Sequence, residues 1–219
     1  MIKAAIFDFN GTLFDDIDIH REIWREIYIE KTEGLEDFDE FFNSIMGAKN
    51  QDLIVKMYEH IGKTIEQDEI DKISLEKEEK YRDYSIKNDK CHLINGAERV
   101  FDELAKIMPI NLSSTSIKEN IDFYFSEFGI GRWIDRNNVT YDDGILKTKV
   151  EMYTEAAKNL NVELKDCLIF EDSQYGIDSA YAAGCRNIIV IDPRGLRKMS
   201  PGVIQIVKDY TEVDLSFID

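Results

Sequence analysis

Asp8-Phe9-Asn10-Gly11-Thr12 sets a carboxylate at the end of an apolar run, Ala4 to Phe7, with a glycine close behind. A strand that ends this way hands a reactive oxygen to a turn. Asp8 in that position can attack phosphorus and form an aspartyl phosphate. The residue two places further on is the oddity. A second acid there could pass a proton to a leaving oxygen, whereas the amide of Asn10 cannot.

Two further apolar runs end in polar residues. Ser113-Ser114 follows Ile110–Leu112, and Glu171-Asp172 follows Leu168–Phe170. In a parallel α/β sheet the carboxyl ends of the strands share one edge, where such folds bind ligands. Ser116-Ile117-Lys118-Glu119 and Thr148-Lys149-Val150-Glu151 fit the capping-box pattern, so helix N-termini are predicted just after Ser114 and Lys147. Exposed amides at a helix start suit a phosphate. Mg²⁺ prefers carboxylate and carbonyl oxygens plus water, which makes Asp8, Asp172 and the carbonyl of Asn10 ligand candidates. The cation and a lysine would neutralise the transferring phosphoryl group, and Ser114 would donate a hydrogen bond to it.

Composition narrows the partners. A net charge of -17 over 219 residues opposes nucleic-acid binding, which rests on neutralising phosphates with Lys and Arg. It also opposes long-range attraction of an anionic substrate, so a bound phosphate needs a local positive site, with a metal as the expected source. No apolar run approaches the roughly 18 residues that span a bilayer. The N-terminus does not read as a signal peptide. The expectation is a cytoplasmic protein with no membrane and no obligate protein partner. The three cysteines, Cys91, Cys167 and Cys185, form no CxxC and support neither a zinc site nor a disulfide framework.

The elements that must position these residues fall into two regimes. Residues 3–8 read as a buried strand. From about 16 to 88 the periodicity is helical, with stripes at Ile19, Ile23 and Ile27, at Phe38, Phe41 and Phe42, at Leu53, Ile54 and Met57, and at Ile70, Ile73 and Tyr81. Four such helices can bury their stripes against one another. Lys77, in the charge-dense fourth stretch, reads as solvated. After about residue 90 helices and strands alternate, which predicts a doubly wound parallel sheet. Runs at 109–112, 139–141, 167–170 and 187–191 are its further strands, and the tail from Asp192 reads as a turn, a short apolar run at Val203–Val207 and an acidic end. The domains expected are an α/β core at 1–14 and 90–219 and an inserted α-helical bundle at 15–89.

These residues, in this order, resemble the haloacid dehalogenase superfamily of phosphatases and phosphomutases. The helical-cap subgroup that includes β-phosphoglucomutase is the nearest in pattern, and the resemblance spans essentially the whole chain. Its first motif matches at Asp8, Gly11 and Thr12, its second at Ser114 within Leu112-Ser113-Ser114-Thr115-Ser116, and its third at Lys147. The most specific is the fourth, Phe170-Glu171-Asp172-Ser173-Gln174-Tyr175-Gly176-Ile177. The resemblance implies a Rossmann-like core, Mg²⁺ held by Asp8, Asn10 and Asp172, and Glu171 acting on the metal through water. It also implies Lys147 as a catalytic cation beside Asp8, Asn10 and Ser114. Gly11, Thr12, Thr115, His20 and Lys49 are implied as substrate contacts.

Two departures qualify the likeness. Position 10 usually carries the acid–base Asp, whose loss typically costs about 10²–10⁴ in rate. The cap loop reads Gly47-Ala48-Lys49-Asn50. It lacks the Arg that grips a second phosphate in the mutase, and a lysine there is a non-bidentate charge. The leading expectation is therefore a Mg²⁺-dependent phosphatase for a small phosphorylated metabolite, such as a sugar phosphate, slowed by Asn10. A phosphomutase and a catalytically impaired phosphate-binding or regulatory protein are the alternatives.

Overall fold

A computed structural model describes residues 1–45, 50–146 and 148–218. The chain folds as two compact units, Met1–Asp15 with Cys91–Asp219, and Asp16–Lys90.

The first unit is built on a six-stranded, all-parallel sheet. Its strands are β1 (Ala4–Phe7), β2 (Ile110–Ile117), β3 (Thr140–Asp142), β4 (Cys167–Glu171), β5 (Ile188–Ile191) and β6 (Val203–Val207), in the spatial order β3-β2-β1-β4-β5-β6. Both faces are covered, which explains why β1 reads as a continuous apolar run rather than an alternation. Ala4 and Ile6 turn to a core that includes Tyr153, Ala156, Ile169 and Ile177. Phe7 points the other way, where its ring stacks on Phe170 at 4.2 Å and packs on Phe101 at 4.7 Å. Register then levels the strand ends. Phe7 pairs with both Leu112 and Phe170, so Asp8, Ser113 and Glu171 emerge side by side.

Four helices of this unit matter here or flank what does: α5 (Ala97–Leu104), α6 (Lys118–Phe128), α7 (Lys149–Asn159) and α8 (Gln174–Ala182). The Thr148 capping box forms as the sequence predicts, with Glu151 N–H donating to Thr148 Oγ1 at 3.2 Å and Thr148 N–H to Glu151 Oε2 at 3.0 Å. The box predicted at Ser116 does not. β2 runs through to Ile117, which takes the cap position of α6 without a side-chain cap bond. The hydroxyl of Ser116 is engaged elsewhere, as described below. The Val203–Val207 run, read as part of the tail, is the sixth strand and pairs with β5 from Ile188↔Val203 to Ile191↔Val207.

The second unit consists of α1 (Ile17–Lys31), α2 (Phe38–Ser44), α3 (Asn50–His60) and α4 (Gln67–Lys87). Ile19, Ile23, Ile27, Leu53, Ile54, Met57, Ile70 and Ile73 are all buried, as their stripes predict. The solvated reading of Lys77 is corrected. Lys77 is 2% exposed, 2.8 Å from the Glu78 carboxylate and over the Tyr81 ring, while Asn50 Nδ2 donates to the same Glu78 oxygen at 2.7 Å. Burying that ammonium requires such a partner, because an unpaired charge in the bundle would cost several kcal/mol, on the order of its desolvation penalty.

Candidate active site

The sheet edge gathers three carboxylates. Asp8, Glu171 and Asp172 each present an oxygen, and these atoms lie within 4.8 Å of one another, the only such acidic, His or Cys cluster among the described residues. Asp8 is 4% exposed and Glu171 fully buried. Lys149 is the cation that serves them. Its Nζ, itself buried, pairs with Glu171 and stands 3.2 Å from Asp8 Oδ1.

Glu171 is the anchor. Its Oε2 accepts from the N–H groups of Asp172 at 2.7 Å and Ser173 at 2.6 Å and from Ser173 Oγ at 3.0 Å, and its Oε1 accepts from Tyr153 OH at 2.9 Å. Ser173 also caps α8, its Oγ accepting from Gly176 N–H at 3.0 Å. Burial opposes the Glu171 charge, but the Lys149 ammonium and these donors overcome it and hold the carboxyl below the ordinary range. Burial likewise opposes the charge on Lys149, and the surrounding carboxylates win there too, holding the ammonium protonated.

The other two carboxylates are left short of positive charge. Burial, with the Glu171 charge in support, pushes Asp8 up to about 7 although Lys149 pulls against it. Burial and the neighbouring Glu171 and Asp8 charges push Asp172 up to about 8. Among the described residues, three acids share one lysine, and the two undercompensated donors are hard oxygens that suit Mg²⁺. The residues present therefore fit the ion that the sequence implies.

Two glycines make the cluster possible. Gly11 has φ +76°, and a Cβ there would overlap the Asp172 carboxylate. Gly176 would drive a Cβ into the carboxylate of Glu171. Thr12 is fully buried, and its hydroxyl donates to Asp172 Oδ1 at 3.1 Å, so it touches the acid cluster directly.

Next to this charged corner lies a neutral one. Ser116 Oγ donates to Asn10 Oδ1 at 2.8 Å, Asn10 Nδ2 donates to Tyr124 OH at 2.9 Å, and Ser116 Oγ and Tyr124 OH are 3.0 Å apart. Ser114 Oγ lies at the 3.5 Å limit from the same Asn10 oxygen. Tyr124 is fully buried and stacks on Phe9 at 3.7 Å. Thr115, between the two serines, is exposed.

Lys147 and Lys49 lie outside the described residues. His20 belongs to the helical unit, where its Nε2 is 3.1 Å from Asp16 Oδ2 and its ring stacks on Tyr81, whose hydroxyl donates to the same carboxylate at 2.7 Å.

Sequence reasoning missed Lys149, Ser116, Tyr124 and Arg197. Lys149 carries a readable signal. It stands in the buried stripe of α7 with Met152, Tyr153, Ala156 and Ala157, where a lysine needs a buried acid. Tyr124 falls on the apolar stripe of α6, so its hydroxyl is masked by its ring. Arg197 follows β5 in a loop without periodicity. Its Nε donates to the Asp172 carbonyl at 2.7 Å, and its N–H to Asp192 Oδ2 at 2.6 Å.

Comparison with known proteins gives the family and the fold. The profile of the haloacid dehalogenase-like hydrolases matches residues 2–184. The chain belongs to that family, and its architecture is that of the β-phosphoglucomutase-like, helical-cap members. A solved family IA, variant 3 hydrolase from Entamoeba histolytica is 28% identical, with a TM-score of 0.85 over 98% of this chain and 96% of that one. β-Phosphoglucomutase from Clostridium difficile has a TM-score of 0.78 over 100% of this chain and 96% of its own. At 22% identity it is a likeness of fold. Validoxylamine A 7'-phosphate phosphatase of Streptomyces hygroscopicus subsp. limoneus is 23% identical over 216 residues, 97% of this chain and 96% of the relative. Phosphatase is the activity named for several of the chain's curated relatives, the Streptomyces protein among them. Among the described residues no helix is long and apolar enough to cross a membrane.

Proposed function

We propose that this protein is a Mg²⁺-dependent phosphatase that hydrolyses a small phosphorylated metabolite through an aspartyl phosphate on Asp8, at a rate limited by Asn10. The observation that carries the reading is the convergence of Asp8, Glu171 and Asp172 on one point, with Lys149 as their paired cation. Bound between Asp8 and Asp172, Mg²⁺ would supply the charge that neutralises the phosphoryl oxygens.

The chain's own groups do the rest. An Asp8 oxygen forms the new bond to phosphorus as the ester oxygen leaves with its electron pair. Water then cleaves the acyl phosphate, returning Asp8 and releasing inorganic phosphate. Lys149 holds Glu171 ionised and faces Asp8, so the nucleophile keeps one fixed positive neighbour. Ser114 is the hydrogen-bond donor for the phosphoryl group from the neighbouring strand. The leaving oxygen needs a proton and the attacking water must lose one; the amide of Asn10 can do neither, so solvent water gives the first and takes the second. A small phosphomonoester, such as a sugar phosphate, is the expected substrate, in keeping with the phosphorylated compound named for the Streptomyces relative.

Phosphate release from a panel of phosphomonoesters tests the reading. Turnover is expected to require Mg²⁺, to vanish with EDTA and to return on adding the ion. Release that is unchanged in Asp8→Ala would sink it. The second reading, a phosphate-binding or regulatory protein, is favoured by the hydrogen bonds that hold Asn10 to Ser116 and Tyr124. Its mark would be a phospho-Asp8 that persists in the intact-protein mass.

A further inference from the structure

The loop that follows β5 carries Arg194, Arg197 and Lys198 within five positions of a chain whose net charge is -17. Two of these cations hold the segments that bear the acid cluster. Arg194 Nη1 donates to Asp15 Oδ1 at 3.0 Å, at the end of the segment that begins with Asp8. Arg197 is held from both sides: its backbone N–H donates to the buried Asp192 carboxylate at 2.6 Å, and its Nε donates to the main-chain carbonyl of Asp172 at 2.7 Å. The two bonds differ in kind. The Arg194 pair is a half-exposed surface contact, for which little stabilisation is expected. The Arg197 bond is charge-assisted and fixes the backbone of a residue whose side chain belongs to the cluster.

We propose that Arg197 is a positioning residue of the Mg²⁺ site, setting the orientation of Asp172 through its carbonyl so that the carboxylate meets Asp8 at ligand distance. The inference rests on the metal reading given above. It assigns Arg197 no contact with substrate or metal. Its role is the one that supporting hydrogen bonds play at metal sites generally, which is to hold a ligand so that the ion need not order it.

The sign of the effect separates positioning from charge. Arg197 is a cation beside a cation site. On electrostatics alone, its removal would tighten Mg²⁺ binding. If it positions Asp172, removal loosens a ligand and weakens binding. Two measurements on the full chain decide between them. Calorimetric Mg²⁺ titration is expected to give a Kd weakened about tenfold in Arg197→Ala, the loss of roughly one charged hydrogen bond. Arg197→Lys keeps the charge without the planar fork and is expected to fall close to the alanine variant. Arg194→Ala is expected to match wild type. Hydrogen exchange supplies a readout that needs no metal. The amides of Asp172 and Ser173 donate to Glu171 Oε2 and should be protected, and Arg197→Ala is expected to speed their exchange while leaving β5 unchanged.

A Kd for Arg197→Ala at or below the wild-type value overturns the proposal, and so does unchanged exchange at the two amides. A wild-type chain that binds no Mg²⁺ overturns the metal reading instead. The exchange of Asp172 and Ser173 in the variant then decides the positioning claim by itself.

Discussion

Asp8 and Asn10 are two residues apart on the same turn, yet they face environments of opposite character. Asp8 belongs to a set of three carboxylates paired with Lys149, and burial, with the neighbouring carboxylate charges in support, pushes the pKa of two of those acids up. Asn10 opens onto the hydroxyls of Ser114, Ser116 and Tyr124, which take up its amide on both sides. The charged corner gathers three acidic oxygens that could hold an ion. The neutral corner is satisfied by its own donors and acceptors. On the proposed reading the charged corner would gather the phosphoryl group and offer it a nucleophile, while residue 10 would supply no titrating group for proton transfer.

The largest effect expected concerns the charged corner. Asp8→Ala removes the atom that would bond to phosphorus, and phosphate release should fall to the uncatalysed background in a Mg²⁺-saturated assay. Any residual turnover above a mock preparation would mean that another group attacks, and the contrast between the two corners would lose its basis.

Asn10→Asp comes next and addresses the neutral corner. A carboxylate there would restore an acid–base group, and turnover is expected to rise by about 10²–10⁴, the usual worth of a positioned one. The measurement is kcat on the best substrate of the panel, with wild type assayed beside the variant. No gain would mean that the Ser116 and Tyr124 hydroxyls hold residue 10 away from the reacting oxygen whichever side chain it carries.

Gly176→Ala tests how tightly the charged corner is fixed. The added methyl overlaps the Glu171 carboxylate, which must move and give up its pair with Lys149, leaving Asp8 as the lysine's counter-charge. Breaking a buried pair in this way is expected to cost about 3–5 kcal/mol of stability by urea denaturation. A loss under roughly 1 kcal/mol, within the range of an ordinary surface substitution, would mean that the anchor is slack.

The two corners also differed in how well the sequence disclosed them. The sheet and three of the strand ends followed from apolar runs that stop at polar residues, and register did the rest by levelling Phe7 with Leu112 and Phe170. Glu171-Asp172 stood out because buried acids rarely follow a run such as Leu168–Phe170 without a purpose. The lysine was harder. Lys149 stands one place past the Thr148 cap, and the helical phase of α7 that this box sets turns it inward to Asp8. The neutral corner was nearly invisible. Ser116 resembled a cap because hydroxyls next to a helix start usually are caps, and here a partner distant in sequence outcompeted the local N–H groups. Tyr124 looked like one more ring in an apolar stripe. Val203–Val207 reads only as an apolar run of the tail because a long loop separates it from β5, and pairing between strands leaves no local periodic mark.

The smallest effect expected asks whether the neutral corner is built or incidental. Tyr124→Phe keeps the ring that stacks on Phe9 and removes only the hydroxyl between Asn10 and Ser116. If the three groups form one unit, the change removes the acceptor of the part-buried Asn10 amide and the partner of Ser116, and should cost about 1 kcal/mol. Ser116→Ala should cost a similar amount. Because both changes break the same unit, the double variant should cost clearly less than the sum, which a double-mutant cycle by denaturation measures. Additive losses would mean separate contacts. Asn10 would then be an acid–base residue that has lost its charge, with no hydrogen-bonded structure of its own to account for the amide.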